Sequence, residues 1–549
     1  MKLNYKRTIL VGFAFFLISA FWQAYDAIVP LILTNHFGLS QSLSGAVMSF
    51  DNILAVFLLP IFGAVSDKVC TKWGKRTPFV FIGTILAVIS FISLTFVDNS
   101  QFKAVTDYTI DEAEYSEVQT LEDDVDHLYA IAESSNNSAI AGIADKERDA
   151  LDALIAAKDI PSQYEATDAF RDAAYELISE ARKTGSDELV TIANTQLELV
   201  DGLFNGIAGT TFSVTKANVM PLVFFILLLL VVLVSMATFR SPAVALMPDV
   251  TVKPLRSKGN AIINLMGTAG GIIVLVLGII FSTKEIYMQY TWYVVAVCAV
   301  MITGLLIFIF TVKEKLWADQ MLADTKVLEA AEASKAVAAT EEKRLLSRDE
   351  FKSLLLILAS VALWYIGYNS ITSKYSVYAT RELGFDQNLT LIIAQAAAVI
   401  AYIPVGIIAS KIGRRKTILA GIIMLASAFF AGHFITPLSP EFLMYPVFVL
   451  AGIGWATINV NSFPMVVELA KGGDVGRYTG YYYTASMAAQ IVAPNLSGIL
   501  YDAFGMRNVF FVFGTIFVAL SFVTMFFVRH GDVKAERQSA LEALAGAED

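Results

Sequence analysis

Stretches of about 20 apolar residues recur along this 549-residue chain, and each is long enough to cross the ~30 Å hydrocarbon core of a bilayer. Charged residues make up 16% of the sequence, against about 25% in an ordinary soluble protein. The chain is therefore predicted to be an all-α polytopic membrane protein with twelve transmembrane helices. These helices are expected near residues 8–34, 42–66, 79–97, 219–246, 259–282, 290–312, 351–378, 388–410, 417–435, 441–467, 478–502 and 508–528.

Lysine and arginine residues gather in alternate loops. With the N-terminus placed in the cytoplasm, the segments on that side hold 27 of the 40 basic residues. The short loops on the other side hold only Lys284, Arg381 and Arg507. Because basic residues near helix ends favour the cytoplasmic side, both termini are predicted to be cytoplasmic, in a cell (plasma or inner) membrane.

Segment 98–218 is acidic and lacks the apolar stretches of the rest of the chain. It holds 25 acidic and 8 basic residues, a net charge of −17. Apolar residues follow a helical spacing of three and four at 118–132 and again at 170–181. Pro161 can open a helix, and Gly185 followed by Ser186 can end one helix and begin the next. The pattern predicts a bundle of about four helices, inserted between helices 3 and 4 on the extracytoplasmic side.

The two halves of the chain repeat each other when this segment is left out. "GAVSDK" at 63–68 returns within "GIIASKIGRRK" at 406–416, and "RSKG" at 256–259 returns as "RYTG" at 477–480. Six helices followed by a parallel repeat of six is the layout of the major facilitator fold. The predicted boundaries are helices 1–3 in 1–97, the insert in 98–218, helices 4–6 in 219–312, a cytoplasmic linker in 313–350, helices 7–12 in 351–530 and a cytoplasmic tail in 531–549.

The charged turn between helices 2 and 3 carries a family resemblance. Gly63, Asp67, Lys68, Gly74 and the pair Lys75–Arg76 resemble the loop 2–3 signature of major facilitator transporters. The longer "SDKVCTKWGKRTPF" and "MPDVTVKPLRSKGNAIINLMG" at 247–267 resemble the glycoside–cation symporters and the plant-type sucrose–proton symporters. The resemblance implies a secondary active transporter, and a symporter of a sugar or glycoside such as sucrose or maltose.

The same turn and its repeat predict a gate. Asp67 is expected beside the beginning of helix 11, where the helix dipole is positive, and Arg76 beside an acid such as Asp249. In the second half, Glu468 is expected to pair with Arg414 or Arg415. The predicted gating residues are Gly63, Asp67, Lys75, Arg76, Asp249, Arg256, Arg414, Arg415, Glu468 and Arg477.

Two carboxylates are predicted inside the membrane at similar depths, Asp26 on helix 1 and Asp51 on helix 2. An ionisable residue at bilayer depth is a candidate functional group, and two close carboxylates in a poorly solvated cavity can carry a proton. The alternative is that each is a structural hydrogen-bond acceptor. The acids that hold sodium in melibiose-type relatives are not reproduced here, so a proton gradient is favoured over sodium.

Polar and aromatic side chains inside the helices are the predicted substrate site, because sugar binding needs hydrogen-bonding groups beside an aromatic face. The predicted set is Trp22, Gln23, Tyr25, Asn52, Asn264, Tyr368, Asn369, Gln395, Trp455, Asn459, Asn461, Tyr482 and Gln490. Lys374 is expected to reach toward the outer interface, and His36 is expected to be interfacial.

Two alternatives remain open at this stage: an exporter or carrier of another polar metabolite, and a transporter-like receptor that senses a ligand with the insert. An enzyme is not expected, since the sequence contains no recognisable nucleophile–base pair, metal-ligand set or nucleotide-binding loop. The expected partners are a small-molecule substrate and the lipid bilayer, with no nucleic acid, no metal and no cofactor.

Overall fold

The computed structural model describes residues 3–110, 116–252, 255–333, 347–469 and 475–531. Within these ranges the regular secondary structure is helical, apart from two isolated bridges. The predicted tail lies outside the described residues from 532 onward, as does the middle of the predicted linker.

The first part of the chain forms eleven helices, the first of which continues into a π-helical turn (Ile32–His36). They are α1 (Tyr5–Leu31), α2 (Gln41–Met48), α3 (Phe50–Lys68), α4 (Thr77–Thr106), α5 (Ser116–Ser135), α6 (Ser138–Ala156), α7 (Ile160–Thr184), α8 (Asp187–Ala217), α9 (Met220–Val250), α10 (Arg256–Ile280) and α11 (Thr291–Thr311).

The second part begins with a linker helix and contains seven further helices. A π-helical turn (Tyr378–Glu382) follows the second of these seven helices, and a 3-10 turn (Glu441–Leu443) precedes the fifth. They are α12 (Glu314–Ala333), α13 (Arg348–Thr372), α14 (Tyr375–Val377), α15 (Gln387–Ile412), α16 (Arg414–Gly432), α17 (Met444–Val467), α18 (Val475–Phe504) and α19 (Met506–Phe526).

Ten helical stretches of the described chain are long and apolar enough to cross a membrane. α2 and α3 together make one of them, and α13 and α14 with the π-helical turn make another. The helices α15 and α18, of 26 and 30 residues, complete the predicted twelve. Gln395 on α15 and Gln490 on α18 face the interior of the bundle.

Helix contacts follow the same scheme in both halves. In the first half α1 packs on α10 and α11, and α9 packs on α3 and α4. In the second half α13 packs on α18 and α19, and α17 packs on α15 and α16. The halves are joined by α2 and α3 on α18 and by α10 on α15, each of which is the counterpart of the other, and also by α1 on α14. This is the architecture of the predicted twelve-helix major facilitator fold.

The four helices α5–α8 form a separate bundle between α4 and α9. The predicted helix signals are present: Pro161 lies in the first turn of α7, Gly185 ends that helix with a φ of +68°, and Ser186 caps α8. Asp159, which was not predicted, caps α7. The apolar positions predicted at 118–132 and 170–181 face the interior of the bundle. We call this bundle the insert. The end of the membrane bundle that carries the insert is called the insert face, and the other end is called the opposite face.

One carboxyl group lies in the core of the insert. Glu147 on α6 is fully buried and accepts a hydrogen bond of 2.9 Å from Gln196 Nε2 on α8. Its other oxygen and Gln196 Oε1 have no partner among the described residues. Loss of hydration raises the pKa of Glu147 to about 8, while the bond from Gln196 opposes this shift.

We predict that Glu147 makes the insert less stable as the pH rises. The pKa of this carboxyl is higher in the folded state than in the unfolded chain, so the associated stability is complete below about pH 4.5 and is lost as the pH rises through 8. Hydrogen exchange of α6 and α8 amides in the full-length protein should show protection falling by up to about 100-fold between pH 5.5 and 7.5, after correction for intrinsic rates.

Glu147→Gln removes the ionisation and should abolish this dependence while keeping a hydrogen bond to Gln196. The control is Glu165→Gln on the exposed face of α7, which should behave like the unsubstituted protein. Equal pH dependence in Glu147→Gln and the unsubstituted protein would contradict the assignment.

Candidate functional site

The two halves contact each other tightly at the insert face. The backbone carbonyl of Pro494 on α18 lies where a Cβ on Gly45 would sit, and that of Gln41 on α2 lies against Gly498 in the same way. The Asp502 carboxylate accepts bonds of 2.7 and 2.8 Å from the backbone N–H groups of Gln41 and Ser42. Glycine permits the backbone approach, and the carboxylate caps the positive end of α2.

Further contacts complete this closure on the other side of the interface. Ser376 Oγ donates to the backbone carbonyl of Asp26 at 3.3 Å, which joins the segment after α13 to α1. Asn388 at the beginning of α15 donates to Thr283 Oγ1, beyond the end of α10, at 2.9 Å. The interface between the halves is therefore closed toward the insert face.

A central cavity of about 570 Å³ lies between the halves below this closure. Its walls come from α1, α9 and α10 of the first half and from α13–α17 and α19 of the second half. A side cavity of about 200 Å³ adjoins it and reaches α2, α3 and α18. Both cavities share Trp22, Asp26, Arg240, Asn369 and Thr372.

Most of the predicted substrate residues line these cavities. The central cavity is lined by Trp22, Gln23, Asp26, Tyr368, Asn369, Gln395, Trp455 and Asn459. The side cavity adds Asp51, Asn52 and Gln490.

Four predicted substrate residues lie elsewhere, packed between helices. Tyr482 is buried with its hydroxyl 3.0 Å from Ser462 Oγ, and Asn461 donates to the carbonyl of Thr457 on its own helix at 2.9 Å. Tyr25 and Asn264 are also buried. Sequence identifies polar residues in a helix but not the direction in which each one points.

An aromatic platform forms one wall of the central cavity. The rings of Tyr368 on α13 and Trp455 on α17 stack with centroids 3.7 Å apart and planes 8° from parallel. Tyr365 meets the same indole edge-on at 5.4 Å. A rigid aromatic face of this kind packs well against the apolar face of a sugar ring.

Hydrogen-bonding groups line the facing wall. Gln395 Nε2 donates to Gln23 Oε1 at 2.6 Å across the interface between the halves. The indole N–H of Trp22 is buried and has no partner among the described residues. Gln23 and Gln395 line the central cavity, so their amide groups are positioned to bond to a ligand that enters it.

Charged groups of both signs meet beside this wall. Asp26 and Arg240 line both cavities, Asp51 lines the side cavity, and the charges of Arg240 and Asp51 interact. The Arg240 guanidinium also lies 5.5 Å from the ring centre of Trp22. The two predicted carboxylates therefore share a cavity with a cation.

The sequence-based selection did not include Arg240. It lies within an apolar stretch at 219–246, and its charge at that depth is the signal that could have identified it. Two other sequence-based expectations were wrong. Lys374 does not reach the interface but is fully buried, and His36 is buried with its Nδ1 2.6 Å from Asp98 Oδ1.

The predicted gating turn lies at the opposite face and forms a cluster within the first half. Arg76 Nε lies 2.8 Å from Asp249 Oδ2, the acid predicted for it, and its Nη2 bonds to Asp67. Asp67 thus bonds to Arg76, whereas the sequence had suggested that it lies beside the beginning of helix 11. Gly63 packs close to Ser241 on α9, where a Cβ would lie 2.9 Å from its hydroxyl.

Glu314, at the beginning of the linker helix α12, completes this cluster and was not predicted. Its carboxylate accepts bonds of 2.6–2.8 Å from the backbone N–H groups of Lys75, Arg76 and Thr77, and from the Thr77 hydroxyl. Gly74 has a φ of +121°, and a Cβ there would collide with this carboxylate. The turn therefore needs glycine both for its conformation and for space.

The second half carries a related cluster. Arg414 pairs with Glu468, as the sequence suggests, and Arg415 donates to the carbonyls of Met525 and Phe526 at the end of α19. Arg256 and Arg477 make local bonds, to the carbonyls of Pro248 and Thr251 and to the Tyr481 hydroxyl. Like those of the turn after α3, these contacts join residues of the same half.

Among the described residues, no group of three or more His, Cys, Asp or Glu residues is suited to a metal ion.

Family models match both halves of the chain. The model described as "MFS/sugar transport protein" matches residues 10–105, and the one described as "Major Facilitator Superfamily" matches residues 357–546. Together they cover most of α1–α4, with the turn after α3, and most of α13–α19.

Curated relatives match over shorter segments. An MFS-type transporter ppzB of Metarhizium rileyi (strain RCEF 4871) is 32% identical over 118 residues, 21% of this chain and 23% of the relative. A multi-drug resistance efflux pump PmrA homolog of Lactococcus lactis subsp. lactis (strain IL1403) is 34% identical over 68 residues, 12% of this chain and 17% of the relative. The matched segments thus span about a quarter or less of these relatives.

Solved structures share the fold along nearly the whole chain. The xylose transporter XylE from E. coli in an inward-open conformation aligns over 98% of this chain and 99% of that one, with 12% identity and a TM-score of 0.56. A D-xylose-proton symporter aligns over 96% and 99%, with 13% identity and a TM-score of 0.51. With the family models on both halves and the paired helix contacts, these likenesses identify the chain as a member of the major facilitator superfamily of membrane transporters.

Proposed function

We propose that this transporter carries a sugar or glycoside across the membrane together with protons, by alternating access. The observation that carries the proposal is the central cavity, which is lined by the stacked Tyr368–Trp455 platform and by the amide side chains of Gln23 and Gln395. Its volume of about 570 Å³ lies within the ~300–1,000 Å³ range of small-molecule sites. A ligand with one apolar face and several hydroxyl groups matches these walls.

The insert face is assigned to the outside of the cell. The basic residues concentrate in the loops of the opposite face, which favours the cytoplasm for that face and for both termini. The interface closed at the insert face then corresponds to a state in which the substrate is exchanged with the cytoplasm. Opening the insert face requires the contacts of Gly45, Gly498 and Asp502 to separate.

Proton coupling is assigned to Asp26, with Asp51 and Arg240 as its partners. An ionised carboxylate beside a cation holds that cation, and protonation releases it. Neutralising the carboxylate also lowers the cost of passing through a closed, dry intermediate. The position of all three groups beside the cavity links this charge change to the site where the substrate is expected.

The test is uptake into proteoliposomes with an imposed pH gradient, screened over mono- and disaccharides, glycosides and unrelated polar metabolites. Sugar accumulation that collapses with a protonophore would support the proposal. Uptake of another metabolite alone would favour the alternative carrier, and substrate binding without accumulation would favour a receptor.

We predict that Trp455→Ala raises the KM of the sugar found in the screen by about tenfold, because it removes the stacking face. Trp455→Phe keeps an aromatic face and should change the KM by less than about threefold. The matched control is Trp292→Ala, since Trp292 is 71% exposed and lines neither cavity. An unchanged KM in Trp455→Ala would remove the platform from the substrate site.

We predict that Asp26→Asn abolishes uphill accumulation but preserves exchange of substrate across the membrane. One proton moving inward down 100 mV gains about 2.3 kcal/mol and can sustain roughly a 50-fold gradient. With this variant, the substrate concentration inside the proteoliposomes should rise only to the external concentration, while exchange of internal for external substrate continues. The control is Glu285→Gln in the exposed loop after α10, which should accumulate normally. Uphill accumulation by both Asp26→Asn and Asp51→Asn would show that these carboxylates do not carry the proton.

A further inference from the structure

The insert belongs to the first half of the chain by connection, and it is anchored there. Val105, Ile160 and Ile207 form a buried cluster with Tyr164 that packs against the loop between α10 and α11. Within it the rings of Tyr164 and Tyr287 meet edge-on at 5.7 Å. Thr215 on α8 also donates to the carbonyl of Phe37 at 2.9 Å.

The insert also reaches the second half, through one arginine on α7. Arg171 Nη1 donates to the backbone carbonyl of Arg381 at 2.6 Å, in the π-helical turn after α14. Its Nη2 bonds to Asp168 on the same helix, and Phe204 on α8 lies under the guanidinium at 5.1 Å. Only 6% of Arg171 is exposed.

Charges from both partners surround this arginine. Asp168 of the insert and Glu382 of the second half both act on the charge of Arg171. A buried guanidinium needs such compensation, and here part of it comes from across the boundary. Separating the two surfaces would leave Arg171 without the Arg381 carbonyl and the Glu382 charge.

A second contact joins the insert to the second half, and here the arginine belongs to the second half. Arg507, at the beginning of α19, lies 4.6 Å from the ring centre of Tyr175 on α7. Arg507 also interacts with the charge of Asp201 on α8. The α7 surface of the insert is thus joined to both the end of the seventh and the beginning of the twelfth transmembrane helix.

We propose that Arg171 and Arg507 make the insert a clasp that holds the insert face closed, so that Arg171 is a gating residue of the transport cycle. In a major facilitator protein the halves rock against each other, and the ends at the insert face must part in the alternate state. The insert moves with the first half, so this motion carries Arg171 away from the Arg381 carbonyl. The clasp therefore favours the closed insert face and slows its opening.

The inference rests on the alternating access of the proposed function, but its test needs no substrate. Spin labels at Lys284→Cys and Phe442→Cys, in a Cys70→Ser/Cys298→Ala background, measure the separation of the halves at the insert face. Both positions are exposed, and the charge of Lys284 acts on Glu441, the neighbour of Phe442. Pulsed dipolar spectroscopy in nanodiscs then reports the fraction of molecules at the longer distance.

Arg171→Ala is expected to raise the open-to-closed ratio by about tenfold, as for loss of a charged hydrogen bond. Arg171→Lys, which keeps the charge but lacks the fork that bonds to two partners, should fall between Arg171→Ala and the unsubstituted protein. The matched control is Arg148→Ala, because Arg148 pairs with Glu122 and Asp126 inside the insert.

Arg507→Ala separates gating from folding, because Arg507 lies outside the insert. It should shift the ratio in the same direction while hydrogen exchange of α7 stays as in the unsubstituted protein. The clasp would be overturned if the distances between the spin labels were unchanged in both Arg171→Ala and Arg507→Ala. It would also be overturned if Arg148→Ala raised the open-to-closed ratio as much as Arg171→Ala does. Because the readout is a distance, failure of sugar or proton transport would leave these outcomes interpretable.

Discussion

The cost of leaving an ionised group in hydrocarbon is the constraint on which the arrangement of this bundle depends. Asp26, Asp51 and Arg240 lie on three different membrane segments of the first half, and all three face the interface with the second half. Around these charged groups the interface contains cavities of about 570 and 200 Å³. The cavities shelter the charges from lipid and provide the space in which a polar solute can bind.

The two ends of the interface differ in how they are built. At the insert face the halves meet through close backbone approach, with Gly45 and Gly498 permitting it and Asp502 capping α2. At the opposite face the strong contacts of Arg76 and Arg414 bind each half to itself. Rigid halves that are braced internally at one end, and joined by separable contacts at the other, are suited to rocking as bodies.

The insert adds a third element to this scheme. It is connected to the first half through α4 and α8, yet Arg171 and Arg507 join it to the second half. Its own interior is an ordinary helical core, apart from the buried Glu147. An acidic bundle of this size can therefore fold by its own apolar pattern and still influence the membrane halves through a few charged contacts at its edge.

The sequence by itself determined the twelve helices, the repeat of six, the four helices of the insert and the pairing of Arg76 with Asp249. These follow from local patterns: apolar length, helical spacing, helix signals such as Pro161 and Gly185, and the charges near the ends of the membrane helices. Only the tertiary structure decided which polar side chains face the cavity, since Trp455 and Asn459 line it while Asn461 and Tyr482 pack between helices. It also brought Glu314 to the turn after α3 and Arg171 to Arg381, because contacts between residues hundreds of positions apart depend on how the helices pack, which no local pattern records.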